Sequence, residues 1–327
     1  MADRAEIARF RQDLIALTQE APTRERPIGV AVSGGPDSMA LLVLAARAFP
    51  AAVVATTVDH GLRAEAADEA RMVGREAATL HVPHDVLTVT APIVGASLQA
   101  RARDARYALL ADWADRRRAM AVATAHHADD QAETFLMRAS RGSGVSGLAA
   151  IRSATIVSGA AVVRPLLGWR RAALRATVRR AGLPFVDDPA NADARHDRTR
   201  FRQLLASNEW LDPPALARTA AAVAEAERDL GELAALLWRE RVAIGDDLVT
   251  LDPQGLPRDT LRRLVRRAIA NVRAAQSIAT PPFDDATNIE PLLDALLAGR
   301  RATHGGVVAG VRRGAWQFRP APPRRSP

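Results

Sequence analysis

The chain has 327 residues, a length that allows two domains with sizeable cores. Its formal net charge is +8, and its 45 basic residues are all arginines, so it contains no lysine. Cysteine is also absent, which excludes disulfides, thiolate metal sites and thiol nucleophiles. No apolar run approaches the roughly 18 residues of a membrane span, and the N-terminal residues do not resemble a signal peptide. We therefore expect a cytoplasmic protein that does not associate with a membrane.

Helices and strands alternate over the first 180 residues. After an amphipathic helix at 2–20, apolar strands are predicted at 28–32, 53–58, 85–89, 121–125 and 162–167. The intervening and following helices are predicted at 39–48, 64–80, 97–118 and 169–181. This alternation predicts an α/β fold with a doubly wound, mostly parallel sheet, which binds ligands at the carboxyl ends of its strands.

A glycine-rich loop follows the first predicted strand. It consists of Ser33, Gly34, Gly35, Pro36, Asp37 and Ser38 and leads directly into a predicted helix. Backbone N–H groups and the positive end of the helix dipole converge at such a turn, so it predicts a phosphate site. The lysine of the common ATP-binding loop is missing, which leaves the serine hydroxyls as side-chain donors. Asp37 would be repelled by phosphate unless a Mg²⁺ ion lies between them, which makes Asp37 a candidate metal ligand.

The segment after the fourth strand combines two histidines with three acids within eight residues. If a helix begins at His126, Asp130 and Glu133 lie on the same helix face as His126. Asp129 has two interpretations, either as the N-cap of this helix or as a second metal ligand beside Asp37. Because this segment lies at the same edge of the predicted sheet as the phosphate loop, we interpret both as parts of one active site.

The order and spacing of several motifs resemble the tRNA(Ile)-lysidine synthetases. The S-G-G-x-D-S loop is that of the ATP pyrophosphatases, which cleave ATP between its α- and β-phosphates. Six further stretches narrow the resemblance: V-D-H-G-L-R at 58–63, the arginine-rich stretch at 102–107, H-H-x-D-D-Q-x-E-T at 126–134, and the stretches at 141–148, 164–167 and 188–202. One departure is Thr199, where the family usually has an asparagine between the two arginines. The resemblance covers roughly the first two-thirds of the chain.

This resemblance implies an adenine nucleotide alpha hydrolase-like fold and a two-step ligation. ATP adenylates the C2 oxygen of the wobble cytidine in the isoleucine tRNA with anticodon CAU, and the ε-amine of L-lysine then displaces AMP. The implied catalytic residues are Asp37, His126, Asp130 and Glu133, of which the last three also bind lysine. ATP and pyrophosphate contacts are implied for the loop at 33–38 and for Asp59 and His60, with Mg²⁺ on Asp37 and Asp129. Contacts to tRNA or phosphate are implied for Arg103, Arg106, Arg141, Arg198 and Arg200.

The character of the sequence changes after residue 210. A long alanine-rich helix to about residue 243 precedes a predicted small α+β domain with a hairpin around Gly305 and Gly306. From Gly299 onward there is no acid but seven arginines, interleaved with Trp316 and Phe318. Arginines and aromatics together suit RNA phosphates and unstacked bases, so Arg312 and Arg313 are candidate tRNA contacts. We predict a catalytic domain at 1–209, and a helical linker with a tRNA-contacting domain at 210–327.

Two other functions fit parts of the pattern. An ammonia-using amidating synthetase would share the loop, but it would need a separate glutamine-hydrolysing partner because the chain has no cysteine. A non-catalytic RNA-binding protein could retain an old nucleotide loop, but the intact set of acids argues against it. The sequence does not indicate an oligomeric state, and a dimer is compatible with it.

Overall fold

The computed structural model describes residues 3–59, 66–89, 98–186, 197–284 and 287–322. The chain divides into two compact units, Met1–Ala224 and Glu225–Pro327. The boundary between these units lies inside a long helix, α9 (Pro213–Arg241). The functional division that we predict after residue 209 stays a prediction.

A six-stranded sheet forms the centre of the first unit. Its strands lie in the order β3-β2-β1-β4-β6-β5, and the neighbours pair in parallel apart from the antiparallel hairpin β5–β6. The bounds are β1 (Ile28–Ala31), β2 (Val53–Asp59), β3 (His84–Thr88), β4 (Ala121–Ala123), β5 (Ala154–Val157) and β6 (Ala160–Val163). The predicted α/β fold with a mostly parallel sheet is thereby confirmed.

Eight helices among the described residues precede α9. They are α1 (Arg4–Thr18), α2 (Pro36–Ala48), α3 (Ala66–Thr79), α4 (Leu98–Arg116), α5 (Ala128–Ala139), α6 (Val145–Leu148), α7 (Arg171–Ala181) and α8 (Asp197–Ser207). Buried side chains of α1, α2, α3 and α7 form one core with β1, whereas Leu110 and Trp113 of α4 pack on the opposite face. Gly29 of β1 is required there, because a Cβ would lie 2.7 Å from the Trp113 ring.

The β5–β6 hairpin corrects the strand predicted at 162–167. The strand ends at Val163, before Pro165, and its partner β5 was not predicted. Ser158 and Gly159 connect the two strands, and both have positive φ angles, of 51° and 89°. A two-residue turn in which both residues have positive φ matches the twist of a tight hairpin. The Ser-Gly pair in the sequence could therefore have indicated this hairpin.

The second unit is a small α+β structure, as predicted. Its antiparallel sheet has the strand order β7-β8-β11-β10-β9, and apolar residues of α10 pack against it. The bounds are β7 (Val242–Ile244), β8 (Val249–Leu251), α10 (Arg258–Ala275), α11 (Glu290–Leu297), β9 (Ala302–His304), β10 (Val307–Arg312) and β11 (Ala315–Pro320). The predicted hairpin at Gly305 and Gly306 is the β9–β10 turn.

The aromatic residues of β11 do not stack on RNA bases, and that part of the prediction was wrong. Trp316 and Phe318 are 3% and 0% exposed and belong to the core of the second unit. Side chains alternate across a strand, so these two face the core while their neighbours face solvent. Arg312 and Arg313 remain exposed at the β10–β11 turn. None of the described helices is long and apolar enough to cross a membrane.

Candidate active site

A cavity of about 590 Å³ opens at the carboxyl ends of β1, β2 and β4. Its wall combines the predicted phosphate loop, the end of β2 and the histidine-rich segment after β4. Arginines from α4, α7 and α8 complete it. The polar side chains on this wall belong to Ser33, Asp37, Ser38, Thr56, Thr57, Glu69, Arg106, Tyr107, Thr124, His126, His127, Asp130, Arg171, Arg198 and Arg202.

The phosphate loop is closed by hydrogen bonds to one serine. Ser33 N donates to Ser38 Oγ at 3.1 Å, and this hydroxyl donates to Gly35 O at 2.9 Å. Gly34 has a φ of 84°, a left-handed conformation that favours glycine. Gly35 is the N-cap residue of α2, and Pro36 begins the helix. The loop therefore presents a helix N-terminus to the cavity, which suits a phosphate group.

Asp37 fits a divalent cation. Its Oδ1 is buried and has no hydrogen-bond partner among the described residues, while Oδ2 lies 3.4 Å from His127 Nε2. Buried carboxylate oxygens are normally paired, so an unpartnered one beside a phosphate site suits a hard cation. The described residues contain no group of three potential metal ligands, so phosphate oxygens and water would supply the remaining ligands.

Asp129 faces a different partner. It accepts a hydrogen bond from Arg171 N at 2.8 Å and pairs with the Arg170 guanidinium at 3.1 Å. These bonds fix the first turn of α7, because N-terminal helix N–H groups lack partners inside the helix. Asp129 is not on the wall of the cavity.

The helix in the histidine-rich segment begins later than predicted. His127 is the N-cap of α5, so the interpretation of Asp129 as N-cap was wrong. His127 Nδ1 accepts from Asp130 N at 3.3 Å, and Asp130 Oδ2 accepts from His127 N at 3.1 Å. These reciprocal bonds form a capping box, in which histidine replaces the usual serine or threonine. His126 precedes the helix, whereas Asp130 and Glu133 share one helix face.

The two adjacent histidines have opposite pKa shifts. Burial, together with the charges of Arg164, Arg198 and Arg106, lowers the pKa of His126 to about 4 despite the nearby Asp130. His126 is therefore neutral at neutral pH, and its Nδ1 lies 3.0 Å from Thr124 Oγ1.

Burial alone would lower the pKa of His127 as well. The hydrogen bond to Asp37 and the charges of Asp130, Asp37 and Asp129 outweigh burial and raise it. The helix cap needs an unprotonated Nδ1, so the neutral ring with its proton on Nε2 both caps α5 and donates to Asp37.

Glu133 lies behind the wall of the cavity rather than on it. Its side chain is 2% exposed, and it accepts hydrogen bonds from Arg198 Nε and Arg202 Nε, both at 2.8 Å. Arg198 also donates to Asp130 Oδ1 at 2.9 Å. These bonds hold α8 against α5 and place two arginines on the wall. Arg202 was missed as a site residue, although the i, i+4 spacing of Arg198 and Arg202 was a usable signal.

Of the remaining residues predicted to contact ATP or tRNA, some line the cavity and others lie on the surface. Arg106 lines the cavity, and the Arg103 guanidinium lies 5.0 Å from the Tyr107 ring. Arg141 pairs with Asp197 at 2.6 Å, and Arg200 is exposed on α8. Asp59 ends β2 but does not line the cavity, and His60 lies outside the described residues. Sequence reasoning also missed Thr57, Tyr107 and Arg171 as wall residues.

Comparison with known proteins agrees with this architecture. The PP-loop domain family matches residues 7–209. The chain is 41% identical to the tRNA(Ile)-lysidine synthase of Zymomonas mobilis over 303 residues, covering 91% of this chain and 89% of that protein. It is 42% identical to the tRNA(Ile)-lysidine synthase of Novosphingobium aromaticivorans over 322 residues, covering 98% and 95%.

Among solved structures, the U34-tRNA thiolase NcsA from Methanococcus maripaludis shares the fold, with a TM-score of 0.52 at 13% identity. This likeness covers 68% of this chain and 80% of that chain. The family match and the two relatives span the phosphate loop and the histidine-rich segment that meet in the cavity. The chain therefore belongs to the tRNA(Ile)-lysidine synthase family of PP-loop proteins.

Proposed function

We propose that this protein uses ATP to ligate L-lysine to the wobble cytidine of the isoleucine tRNA with anticodon CAU. One observation carries the proposal: the phosphate loop and the His126–Asp130 segment line the same cavity of about 590 Å³. A nucleotide, an amino acid and a single RNA base can meet there. Family membership supplies the reaction, and the cavity supplies a place for its three reactants.

In the first step the loop at 33–38 binds the phosphates that leave as pyrophosphate. The N-terminus of α2 and the serine hydroxyls stabilise the negative charge that develops on the leaving group. Asp37 is the residue that would hold Mg²⁺, which when bound screens the charge of the phosphates. His127 orients Asp37 through its Nε2–H.

In the second step the ε-amine of lysine must lose a proton before it attacks. At a reference pKa near ~10.4, the neutral amine at pH 7 costs roughly 4–5 kcal/mol. In this proposal Asp130 binds an ammonium group of lysine, and neutral His126 accepts a hydrogen bond from an amine. The ε-ammonium first gives one proton to water in the open cavity. The neutral nitrogen then forms the bond to C2, the bond between C2 and the adenylyl oxygen breaks, and AMP leaves with the electron pair of that bond and takes up the second proton of the amine.

The arginines have two roles in this proposal. Arg198 and Arg202 are fixed by Glu133 at the cavity wall, where they can balance the charge of AMP as it leaves. Glu133 therefore acts on lysine and AMP through these arginines. The exposed Arg103, Arg141, Arg200, Arg312 and Arg313 are candidates for contacts with tRNA phosphates.

Transfer of labelled lysine to RNA tests the proposal directly. With ATP and the CAU isoleucine tRNA, we expect label in the RNA and release of AMP and pyrophosphate. The matched control is the same RNA with uridine at the wobble position, which lacks the cytidine. Equal labelling of both RNAs, or no labelling of either, would contradict the proposed reaction.

A further inference from the structure

The end of β2 contributes a threonine to the cavity wall that the mechanism above does not use. Thr57 is only 5% exposed, and it lines the cavity. Its hydroxyl oxygen lies 2.9 Å from Nε2 of His84, which is the first residue of β3. His84 is half-buried and does not itself line the cavity. A hydroxyl group of the wall is therefore joined by a hydrogen bond to a titratable ring that is not on the wall.

A glycine in the middle of a helix makes room for this imidazole. Gly74 lies within α3, at a position where glycine is less favourable than alanine for the helix itself. A Cβ atom at this position would lie 3.3 Å from His84 Nδ1, closer than ordinary van der Waals contact. The glycine therefore allows α3 to approach the ring, which is held between α3 on one side and Thr57 of β2 on the other.

Few charges act on this ring. Burial lowers the pKa of His84, and the charge of Asp85 opposes this shift. The Asp85 carboxylate is itself engaged by Trp113 Nε1 and Arg117 Nε, both at 2.7 Å. The two elements packed on the ring, α3 and β2, present it with the glycine and the threonine, which do not titrate. Because its pKa is below the ordinary value, the ring is neutral at neutral pH.

The protonation state of the ring decides the direction of its hydrogen bond to the threonine. A neutral imidazole has one nitrogen that accepts and one that donates. When Nε2 accepts, Thr57 gives it the hydroxyl proton, and the threonine oxygen can then only accept from a ligand. A protonated imidazole donates from both nitrogens, so Nε2–H would occupy the threonine oxygen and free the hydroxyl proton for a ligand. Protonation of His84 therefore exchanges an acceptor for a donor at this point.

The position of Thr57 suits the base of a nucleotide. Val32, which precedes the phosphate loop, donates its N–H to Thr56 O at 2.8 Å, so the end of β2 lies directly beside that loop. On the other side of β1, the segment after β4 carries the groups that the proposed mechanism assigns to lysine. β1, β2 and the residue after β1 contribute uncharged residues to the wall beside Thr57, namely Ala31, Val32, Thr56 and Val58. Apolar side chains with hydroxyl groups suit a purine ring better than a phosphate or an ammonium group.

We propose that His84 is a positioning residue, which keeps the Thr57 hydroxyl oxygen as an acceptor for the 6-amino group of adenine. This inference rests on the proposed function, in its use of ATP, and adds a determinant of base specificity. Adenine presents an amino donor at C6, whereas guanine and hypoxanthine present a carbonyl oxygen there. An oxygen that can only accept leaves that carbonyl without a partner, so this point of the wall favours ATP over ITP.

The 6-position of the nucleotide and the pH test this assignment together. ITP has a carbonyl in place of the 6-amino group and keeps the triphosphate, so the ratio of kcat/KM for ATP and ITP isolates the base. Thr57→Val removes the hydroxyl with little change of shape, whereas Thr57→Ser retains it. His84→Gln keeps an acceptor near the place of Nε2 but does not titrate. His81→Gln is the matched control, because His81 is an exposed histidine just before the same strand.

At neutral pH we expect the wild type to prefer ATP over ITP by about 10-fold, as for one hydrogen bond and one unpaired acceptor. The preference should decrease as the pH falls below about 6.5, because His84 then takes up a proton and the Thr57 hydroxyl becomes a donor. Thr57→Val should have no preference at any pH, whereas Thr57→Ser should keep it. His84→Gln should keep the preference and lose its pH dependence, and His81→Gln should behave like the wild type.

Three results would overturn the assignment. They are a wild-type preference in Thr57→Val, a wild-type pH dependence in His84→Gln, and a wild type without any preference. Competition of ATP and ITP against a fluorescent ATP analogue measures the same preference at equilibrium and requires no transfer of lysine. If the wild type transfers no lysine to the tRNA, the proposed function is wrong, and this competition still decides whether Thr57 and His84 select the base.

Discussion

The arginines on two walls of the cavity differ in how their charge is balanced. Arg198 and Arg202 of α8 have carboxylate partners in Glu133 and Asp130, at 2.8 to 2.9 Å. Arg106 of α4 also lines the cavity but has no carboxylate partner among the described residues. Arg164, which is not on the wall, donates to Arg152 O at 2.7 Å. The paired wall is therefore ordered before substrate binds, because its hydrogen bonds are made within the protein. Arg106, in contrast, has a buried Nε with no hydrogen-bond partner among the described residues.

The two adjacent histidines on the cavity wall also differ in their surroundings. Burial and the charges of Arg164, Arg198 and Arg106 lower the pKa of His126, whereas the hydrogen bond to Asp37 and the nearby carboxylates raise the pKa of His127. The surroundings of these two neighbouring imidazoles therefore shift their pKa values in opposite directions.

Substitution of Asp37 should have the largest effect on activity, because its buried Oδ1 has no hydrogen-bond partner among the described residues and is the proposed ligand of Mg²⁺. Asp37→Asn keeps the size of the side chain and removes its charge. We expect tRNA-dependent pyrophosphate release to fall by about 100-fold or more, as for other groups that stabilise developing charge. Pyrophosphate release by Asp129→Asn should fall less, because Asp129 anchors the first turn of α7 and does not line the cavity. Near-normal turnover by folded Asp37→Asn would refute the role assigned to Asp37.

Substitution of Glu133 breaks the paired wall. Glu133→Gln removes the charge of the buried carboxylate that Arg198 and Arg202 share, while Asp130 still pairs with Arg198. One-sided loss of a buried ion pair costs about 3–5 kcal/mol. Because both arginines are partly exposed, we expect a loss of about 2–3 kcal/mol in the free energy of unfolding. The KM for lysine should rise more than the KM for ATP, since Arg198 also holds Asp130.

Denaturant unfolding measures this loss, and a surface pair is the control. Arg26→Gln breaks the exposed pair with Glu20, whose side chains are 62% and 56% exposed. Exposed pairs contribute about 0–1 kcal/mol, so this variant should be almost as stable as wild type. If Glu133→Gln were equally stable, the paired wall would not be held by these bonds.

Much of the fold and of the site could be predicted from the sequence. Apolar strands that alternate with helices indicated the sheet, and the glycine-rich loop indicated the phosphate end of the cavity. The predictions failed where a long-range partner decides the outcome. Nothing local shows that Glu133 is buried under two arginines from a helix 65 residues later. Similarly, Trp316 and Phe318 could be assigned to the core only once the register of β11 was known.

The pH dependence of stability distinguishes the two histidines. An unfolded His126 takes up a proton near pH 6.5, whereas the folded one does so at about 4. Between these values the unfolded state binds more protons, so stability falls as the pH drops through this window. The shift corresponds to a contribution of up to about 3 kcal/mol, and His126→Asn should flatten the curve between pH 6.5 and 4.

His127→Asn should change the pH dependence of the free energy of unfolding in the opposite direction to His126→Asn. The raised pKa of His127 adds stability below pH 6.5 and loses it as the pH rises through the folded value. Asparagine is a good N-cap, so the substitution removes the titration and keeps the cap of α5. Denaturant unfolding at several pH values measures both curves. Identical curves for the two variants would contradict the opposite environments.

The smallest effect is expected on the second unit, where unpaired arginines are exposed rather than buried. Arg312 and Arg313 lie at the β10–β11 turn and form no ion pair with another described residue. The double substitution of both by glutamine should weaken tRNA binding. It should also reduce the slope of log K against log salt by about 1–2, because each phosphate contact contributes about 0.7–0.9. The KM for ATP should not change.

Arg258 supplies the matched control, because it is an arginine of the same unit that already has partners. It pairs with Glu290 at 2.7 Å and with Asp294 at 2.6 Å, so its charge is balanced within the protein. Arg258→Gln should therefore leave the salt slope for tRNA unchanged, whereas the double variant at 312 and 313 should lower it. If the double variant keeps the wild-type slope, unpaired charge on this turn does not bind RNA. The contrast between paired and unpaired arginines would then hold for the cavity alone.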